Sequence, residues 1–137
     1  MGPVGAGQQM KLAANLMLAH MLGGLAGAVS LARASHLKPG DLVDILEAGL
    51  GSPYFRVKGG QMASGNFHPQ FTLDLVRKDL RLIREALARA EVPFPTIEPL
   101  LGMFEEASRR GWGDEDGAEV GQRFSSPEDP VPSSNLR

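Results

Sequence analysis

The longest apolar stretch of the chain runs from residue 12 to residue 32, where only Asn15, His20 and Ser30 carry strongly polar side chains. This pattern predicts a helix over residues 8–35 that is buried by protein on most of its circumference. The stretch is also as long as a membrane span, for which about 20 residues suffice. Asn15 and His20 inside it, Lys11 at its edge and its many alanines and glycines favour a buried helix, so no membrane is predicted as a partner.

The remaining sequence also shows helical patterns, bounded by prolines and glycines. Gly23 and Gly27 form a small-residue step in the first helix, which permits close approach of another helix. Pro39 suits the first turn of the second helix and Gly49 its C-terminal cap, while Gly111 suits the cap of the fifth. The predicted helices after the first cover residues 41–48, 53–64, 71–90, 96–109 and 114–124.

Residues 71–90 give the clearest amphipathic pattern of the chain. Glu85 and Arg89 are four residues apart, in the favoured orientation for an ion pair on a helix. No stretch alternates between apolar and polar residues, so no strand is predicted and the fold class is all-α. The apolar positions with helical spacing are Phe71, Leu75, Leu82, Ile83, Ala86, Leu87 and Ala90.

Size and composition exclude several classes of function. The 137 residues suffice for one domain, assigned to residues 1–124, followed by a Pro/Ser-rich tail at 125–137 that is expected to be disordered. The net charge of −2 gives no overall attraction to nucleic acid or anionic membrane. The chain has no cysteine and three scattered histidines, so no metal site is predicted. No basic segment opens the chain, which argues against a signal peptide.

The first candidate site is the pair Lys11 and Asn15, which project from one face of the first helix because they are four residues apart. A lysine amine can take the proton of a hydroxyl group if desolvation lowers its pKa toward neutrality, and an amide can hydrogen-bond a substrate without changing charge. Spacing alone favours a simpler interpretation, in which Lys11 points into water and Asn15 is a satisfied amide. Gly7 could let the chain pass close to a ligand or could belong to a flexible joint.

The second candidate site is the segment FTLDLVRKDL at residues 71–80. From the residues alone, Lys78 is better explained as a solvated charge that pairs with Asp74 at i, i+4, and Phe71 as an ordinary core anchor. The basic residues around Lys78 do not indicate nucleic-acid binding, because acids balance them and no aromatic residues are interleaved.

Together the two segments resemble a known family. The run GAGQQMKLAAN at residues 5–15 matches the pattern G-x-G-x-x-x-K-x-x-x-N of the β-hydroxyacid dehydrogenases, and residues 71–80 match their F-x-L-x-L-x-x-K-D-L block. This family contains 3-hydroxyisobutyrate dehydrogenases and glyoxylate or succinic semialdehyde reductases. The resemblance covers roughly residues 2–124. It implies these roles: Lys11 as the catalytic general acid/base, Asn15 and Gly7 as substrate-binding residues, and Lys78, Phe71 and Asp79 as cofactor-binding residues.

The resemblance also implies a fold, a cofactor and partners. The expected fold is the helical C-terminal domain of the 6-phosphogluconate dehydrogenase-like superfamily, acting with NAD or NADP on a small hydroxyacid or semialdehyde. The family's N-terminal Rossmann domain is expected to be absent, because no strand precedes Gly5 and the third glycine of a dinucleotide fingerprint is missing. The chain should therefore be inactive without a nucleotide-binding domain, which could be a separate chain, and should form a homodimer or higher homo-oligomer.

Two further expectations complete the sequence-based picture. The expected location is the cytoplasm, or the mitochondrion if the chain is a fragment of a eukaryotic protein. The alternative function is a non-enzymatic helical module for self-association or interaction, in which Lys11 and Asn15 are merely polar rim residues.

Overall fold

Helix α1 (Ala6–Ala34) is the element against which the other helices pack. The computed structural model describes residues 4–68 and 70–120. Within these residues every regular element is helical, apart from one isolated antiparallel bridge between Thr72 and Asp116, so the all-α prediction is confirmed. The elements after α1 are α2 (Pro39–Leu50), a first π-helical turn (Phe55–Gly59), α3 (Gly60–Ser64), α4 (Leu73–Arg89), α5 (Ile97–Ala107) and a second π-helical turn (Ser108–Trp112).

Only one face of α1 is buried. The opposite face is apolar but exposed, with Met10 at 71%, Met17 at 62% and Leu31 at 69% exposure. The prediction that α1 is buried on most of its circumference is therefore wrong for this chain by itself, because the other helices cover α1 from one side. The buried face is formed by Ala19, Leu22, Leu25, Ala26, Val29 and Ala32.

The small residues of α1 have unequal roles in its packing. A Cβ atom at Gly23 would lie 3.1 Å from Leu100 Cδ1 of α5, so this glycine permits a close helix–helix approach. A Cβ atom at Gly27 would have no heavy atom within 4 Å. Of the two predicted glycines, only Gly23 therefore permits a close approach of another helix within the described residues. By length and composition α1 could also cross a membrane. A helix that supplies the core of a bundle has the same composition, and α1 supplies such a core.

Helix α2 begins two residues earlier than the predicted range 41–48, with Pro39 in its first turn as expected, and it ends later. Pro39 occupies the first turn, where its missing N–H costs no intrahelical hydrogen bond. The helix continues through Gly49, and Gly51 takes the left-handed conformation at φ 61°. The Gly51 N–H donates to the carbonyl oxygen of Glu47 at 2.8 Å. The predicted cap at Gly49 is therefore wrong, since the second glycine takes the left-handed position instead.

Helix α4 begins at Leu73, and only part of the apolar stripe predicted for it faces the core. The Thr72 hydroxyl caps the helix by accepting a hydrogen bond from the Leu75 N–H at 3.3 Å. Leu75 and Leu82 were expected in the core but are 44% and 38% exposed. The buried residues of α4 are Leu73, Val76, Leu80 and Ile83, at positions i, i+3, i+7 and i+10, so of the predicted positions only Ile83 lies in the buried stripe.

The ion pairs of α4 agree only in part with the prediction. Glu85 and Arg89 are 3.9 Å apart, as expected from their spacing. Asp74 lies 3.3 Å from Arg77 and accepts a hydrogen bond from the Ser108 hydroxyl at 2.7 Å. The predicted Asp74–Lys78 pair is therefore wrong, because the Asp74 carboxylate is directed toward the second π-helical turn.

Residues 113–118 form turns beside the start of α4, so the helix predicted to begin at Asp114 is wrong over these residues. The Leu73 N–H donates to Glu115 O at 2.8 Å, and the Gly117 N–H donates to Phe71 O at 2.8 Å. These hydrogen bonds tie the backbone of 113–117 to residues 71–74, which is incompatible with a helix there. The end of that predicted helix, after residue 120, and the tail predicted at 125–137 lie outside the described residues.

Candidate functional site

A cavity of about 160 Å³ lies between α1, α4 and the first π-helical turn. Its size is close to that of an engineered protein cavity of about 150 Å³ that binds benzene, so it can hold a small organic group. Each helix contributes one stripe of aliphatic side chains at a spacing of three or four residues. These residues are Leu18, Ala19 and Leu22 of α1 and Val76, Leu80 and Ile83 of α4.

Three of the sequence-predicted site residues meet at this cavity. The Asn15 Nδ2 donates a hydrogen bond to Asp79 Oδ2 at 2.8 Å, and both half-buried side chains line the cavity. Phe71, which is 40% exposed, lines it too. The bond to Asp79 fixes the orientation of the Asn15 amide and uses one of its N–H groups. The Asn15 oxygen and the second N–H remain for another partner.

Lys11 and Gly7 lie outward of this group on α1. Lys11 is exposed and does not line the cavity, but it is on the same helix face as Asn15, about 6 Å nearer the helix start. Gly7 is one further turn away, and a Cβ atom there would meet no heavy atom within 4 Å. The backbone at Gly7 is therefore open to a ligand. The roles assigned to Lys11 and Gly7 stay predictions.

Lys78 is next to Asp79 in sequence but faces another direction, because successive helix residues are about 100° apart. It is exposed and lines an open groove together with Arg77 and Arg81. The structure therefore does not bring Lys78 into the cavity with Asp79. Its contact with a cofactor stays a prediction.

One residue of the cavity wall, Lys58, belongs to a buried ion pair that the sequence reasoning missed. Lys58 lines the cavity, and its Nζ lies 3.1 Å from Asp116 Oδ1 and 3.2 Å from Oδ2. Asp116 is fully buried and accepts two more hydrogen bonds, from Gln70 N–H at 3.0 Å and from Ala118 N–H at 2.9 Å. Asp116 thus connects the cavity wall to the segment that precedes α4 and to the turn at 116–118.

The surroundings of this ion pair favour the charged carboxylate of Asp116 and the neutral phenol of Tyr54. Burial by itself favours the neutral carboxyl of Asp116, but the hydrogen bonds from Ala118, Gln70 and Lys58 outweigh it and hold the pKa of Asp116 below its usual value. Burial, and then the nearby Asp116 charge, raise the pKa of the Tyr54 phenol. Tyr54 lines the cavity as a neutral phenol whose O–H donates to Leu18 O at 3.2 Å.

No local pattern could have joined these residues. Lys58 and Asp116 are 58 residues apart in sequence, and Asp116 stands in the acidic run 114–116, which resembles a solvated helix start. Within residues 4–68 and 70–120, no group of three His, Asp or Glu side chains could hold a metal ion.

Residues 5–123 match the family model described as NAD-binding of NADP-dependent 3-hydroxyisobutyrate dehydrogenase. The chain belongs to this family. The match includes both sequence motifs and every residue that lines the cavity, and it confirms the resemblance inferred from residues 5–15 and 71–80. Members of the 3-hydroxyisobutyrate dehydrogenase family use NAD(P) and act on alcohol groups of small acids.

The named relatives of the chain include both dehydrogenases and nuclear factors. The chain is 33% identical over 121 residues to 2-(hydroxymethyl)glutarate dehydrogenase of Eubacterium barkeri, covering 87% of this chain and 40% of that protein. It is 31% identical over 121 residues to the cytokine-like nuclear factor N-PAC of Aedes aegypti, covering 88% of this chain and 22% of that protein.

A solved structure agrees with the fold. The 3-hydroxyisobutyrate dehydrogenase of Salmonella typhimurium superposes with a TM-score of 0.80 at 27% identity, covering 88% of this chain and 42% of that chain. The chain therefore spans about two-fifths of the length of these two dehydrogenases and a smaller share of the nuclear factor. Its helical fold is that of the C-terminal domain expected from the sequence.

Proposed function

We propose that this chain is the helical substrate-binding and dimerisation domain of an NAD(P)-dependent β-hydroxyacid dehydrogenase. The reaction is oxidation of 3-hydroxyisobutyrate or a related 3-hydroxyacid, or reduction of a semialdehyde or glyoxylate, in the cytoplasm. The observation that carries the proposal is the Asn15–Asp79 hydrogen bond at the apolar cavity, with Lys11 one turn away on the same face of α1. Family membership supplies the class of reaction.

In this proposal Lys11 is the general acid/base and Asn15 is the substrate anchor. During oxidation the Lys11 amine takes the proton of the substrate hydroxyl, and during reduction its ammonium returns a proton to the carbonyl oxygen. The Asn15 amide, oriented by Asp79, can accept from the hydroxyl or donate to a carboxylate. The open backbone at Gly7 lets the substrate lie close to the start of α1. A bound nicotinamide supplies the hydride acceptor or donor.

The proposal assigns Phe71 and Lys78 to the part of the cofactor that lies against this chain. Phe71 offers a partly exposed ring, and Lys78 offers an exposed ammonium on α4. A pyrophosphate is usually held by a glycine-rich turn between a strand and a helix. Residues 4–68 and 70–120 contain no strand that could form such a turn. We therefore assign the main cofactor contacts to a nucleotide-binding domain and expect no turnover from this chain alone.

The exposed apolar face of α1 supports association. Met10, Met17 and Leu31 lie on this face and are each more than half exposed, which is costly for a helix left in water. A second copy of the chain, or the nucleotide-binding domain, would cover them. Light scattering at tens of micromolar should give about twice the monomer mass of 14.6 kDa, and a monomer would count against self-association.

The proposed reaction can be tested by joining the full chain to the nucleotide-binding part of a dehydrogenase relative. Formation or loss of NAD(P)H is followed with a panel of 3-hydroxyacids, semialdehydes and glyoxylate. Turnover that requires both parts is the expected result. A folded fusion that binds the cofactor and turns over none of these compounds would contradict the proposal.

The second candidate function is a non-enzymatic helical interaction module. It is favoured by the relatives named as nuclear factors and by the exposed apolar face of α1. Both functions predict that Met17→Lys on α1 weakens association, so turnover decides between them, and under this alternative the fusion is inactive. Under the dehydrogenase proposal the fusion is active, and Lys11→Ala removes the activity without changing association.

A further inference from the structure

The cavity holds a buried cation that the proposed reaction does not use. Lys58 is 8% exposed and is the one cationic residue that lines the cavity among the described residues. Its ammonium has three N–H donors, and its two hydrogen bonds both go to Asp116. At least one N–H is therefore left without an acceptor in residues 4–68 and 70–120. A buried donor without an acceptor is costly, so an occupant of the cavity that supplies an acceptor is favoured.

The charges around the cavity indicate which acceptor fits. Asp116, behind the cavity wall, already balances the charge of Lys58, and Asp79 adds a carboxylate to the lining. Tyr54 is a neutral phenol whose O–H already donates to Leu18 O. The cavity thus has no excess positive charge that could offset a buried carboxylate of a ligand. A hydroxyl or carbonyl oxygen can accept from Lys58 without bringing a charge.

The rest of the lining limits the shape of the occupant. Lys58 forms no hydrogen bond with Asn15 or Asp79, so the cavity has two separate polar points. The side chains around them are mostly aliphatic. The volume of about 160 Å³ leaves room for a group about as large as benzene. A short aliphatic chain with one neutral oxygen matches these properties.

We propose that the cavity binds the distal part of the substrate, and that the substrate is a hydroxyacid whose aliphatic substituent carries a neutral oxygen acceptor for Lys58. This inference rests on the proposed function for the placement of the reacting end at Lys11 and Asn15. Lys58 and the aliphatic wall that carry this inference belong to this chain, so the inference predicts binding to the chain without a cofactor.

The test uses the purified full chain and three probes of equal carbon number: pentanoate, 5-hydroxypentanoate and glutarate. Dissociation constants are measured by NMR from the methyl signals of Leu22, Leu80 and Ile83, which line the cavity. We expect 5-hydroxypentanoate to bind about tenfold more tightly than pentanoate, the effect of one hydrogen bond to a charged donor. Glutarate should bind most weakly because it brings a second carboxylate.

Four variants test whether Lys58 and the cavity cause this order. Lys58→Met should make pentanoate and 5-hydroxypentanoate bind equally, while the matched control Lys38→Met, at an exposed lysine, should keep the tenfold difference. If Lys58→Met does not fold because Asp116 loses its partner, Lys58→Met/Asp116→Asn removes both charges and should give the same result. Ala19→Leu fills the cavity with the ion pair intact and should abolish binding of every probe.

Several results would overturn the inference. They are equal binding of all three probes, preference for glutarate, a preference that survives Lys58→Met, or no shift of the three methyl signals with any probe. The proposed function fails separately. Suppose that the chain still prefers 5-hydroxypentanoate but its fusion turns over no hydroxyacid. This result would contradict the proposed reaction and would not contradict the proposed binding site.

Discussion

Asp116→Asn should be one of the most destabilising conservative substitutions in the chain. The Asp116 side chain is 0% exposed and accepts hydrogen bonds from Gln70 N–H, Ala118 N–H and the Lys58 ammonium, at 3.0, 2.9 and 3.1 Å. Asparagine has nearly the same size, but it replaces one accepting oxygen with a donor and leaves Lys58 as a buried unpaired cation. Removing one partner of a buried ion pair costs about 3–5 kcal/mol. With the usual unfolding entropy per residue, this lowers the melting temperature by about 10–17 °C.

Urea unfolding followed by circular dichroism measures this loss directly. The matched control is Asp114→Asn, two residues away and exposed, which should change the free energy of unfolding by less than about 0.5 kcal/mol. The double variant Lys58→Met/Asp116→Asn removes the unpaired cation and should recover part of the loss. An Asp116→Asn variant within about 1 kcal/mol of the parent chain would refute this account of the ion pair.

Three further predictions follow from the same structure. Because the pKa of Asp116 is lower in the folded chain than its ordinary value, its charge should stabilise the fold fully above about pH 5, and this contribution should be lost as the pH falls through the folded pKa. Urea unfolding across this range should show a smaller acid-induced loss in Asp116→Asn, and an equal loss would contradict the assignment. Gly59→Ala should cost about 1–3 kcal/mol in thermal unfolding, because the added Cβ would lie 2.8 Å from Val43 Cγ2, whereas Gly60→Ala, with no atom within 4 Å, should be neutral or stabilising. Equal effects of the two would show that Val43 moves aside freely. Fluorescence titration of the purified chain with NAD(P)H should show no micromolar binding, and clear micromolar binding would contradict the assignment of the main cofactor contacts to another domain.

The features of the fold and of the site that could be predicted from the sequence are those that depend on local periodicity and on the two motifs. The apolar run after Lys11 produced the single long helix α1, and the spacing of Lys11 and Asn15 placed them on one face of it. The two motifs are 56 residues apart, from Asn15 to Phe71, yet the family resemblance predicted that they share a site. The structure brings Asn15, Asp79 and Phe71 to one cavity.

The predictions were wrong where contacts between distant segments decide which of several locally equivalent arrangements forms. Helix α4 has leucines on several faces, and packing against α1 and α5 selected the stripe of Leu73 and Leu80 over that of Leu75 and Leu82. The Lys58–Asp116 pair joins two segments that are distant in sequence, so no periodicity or spacing rule could predict it. The Asp116 carboxylate also accepts from the Ala118 N–H and so holds residues 116–118 in a turn, within the range 114–124 that was predicted to be helical.

The most direct test of the central claim is the turnover of the reunited enzyme with Lys11→Ala, compared with the parent chain and with Lys38→Ala at another exposed lysine. If Lys11 is the general acid/base, kcat should fall by about 10²–10⁴-fold in Lys11→Ala. The melting temperature should not change, because Lys11 is exposed. A kcat within twofold of the parent, in an enzyme that is otherwise active, would show that Lys11 does not carry the proton and would contradict the proposed site.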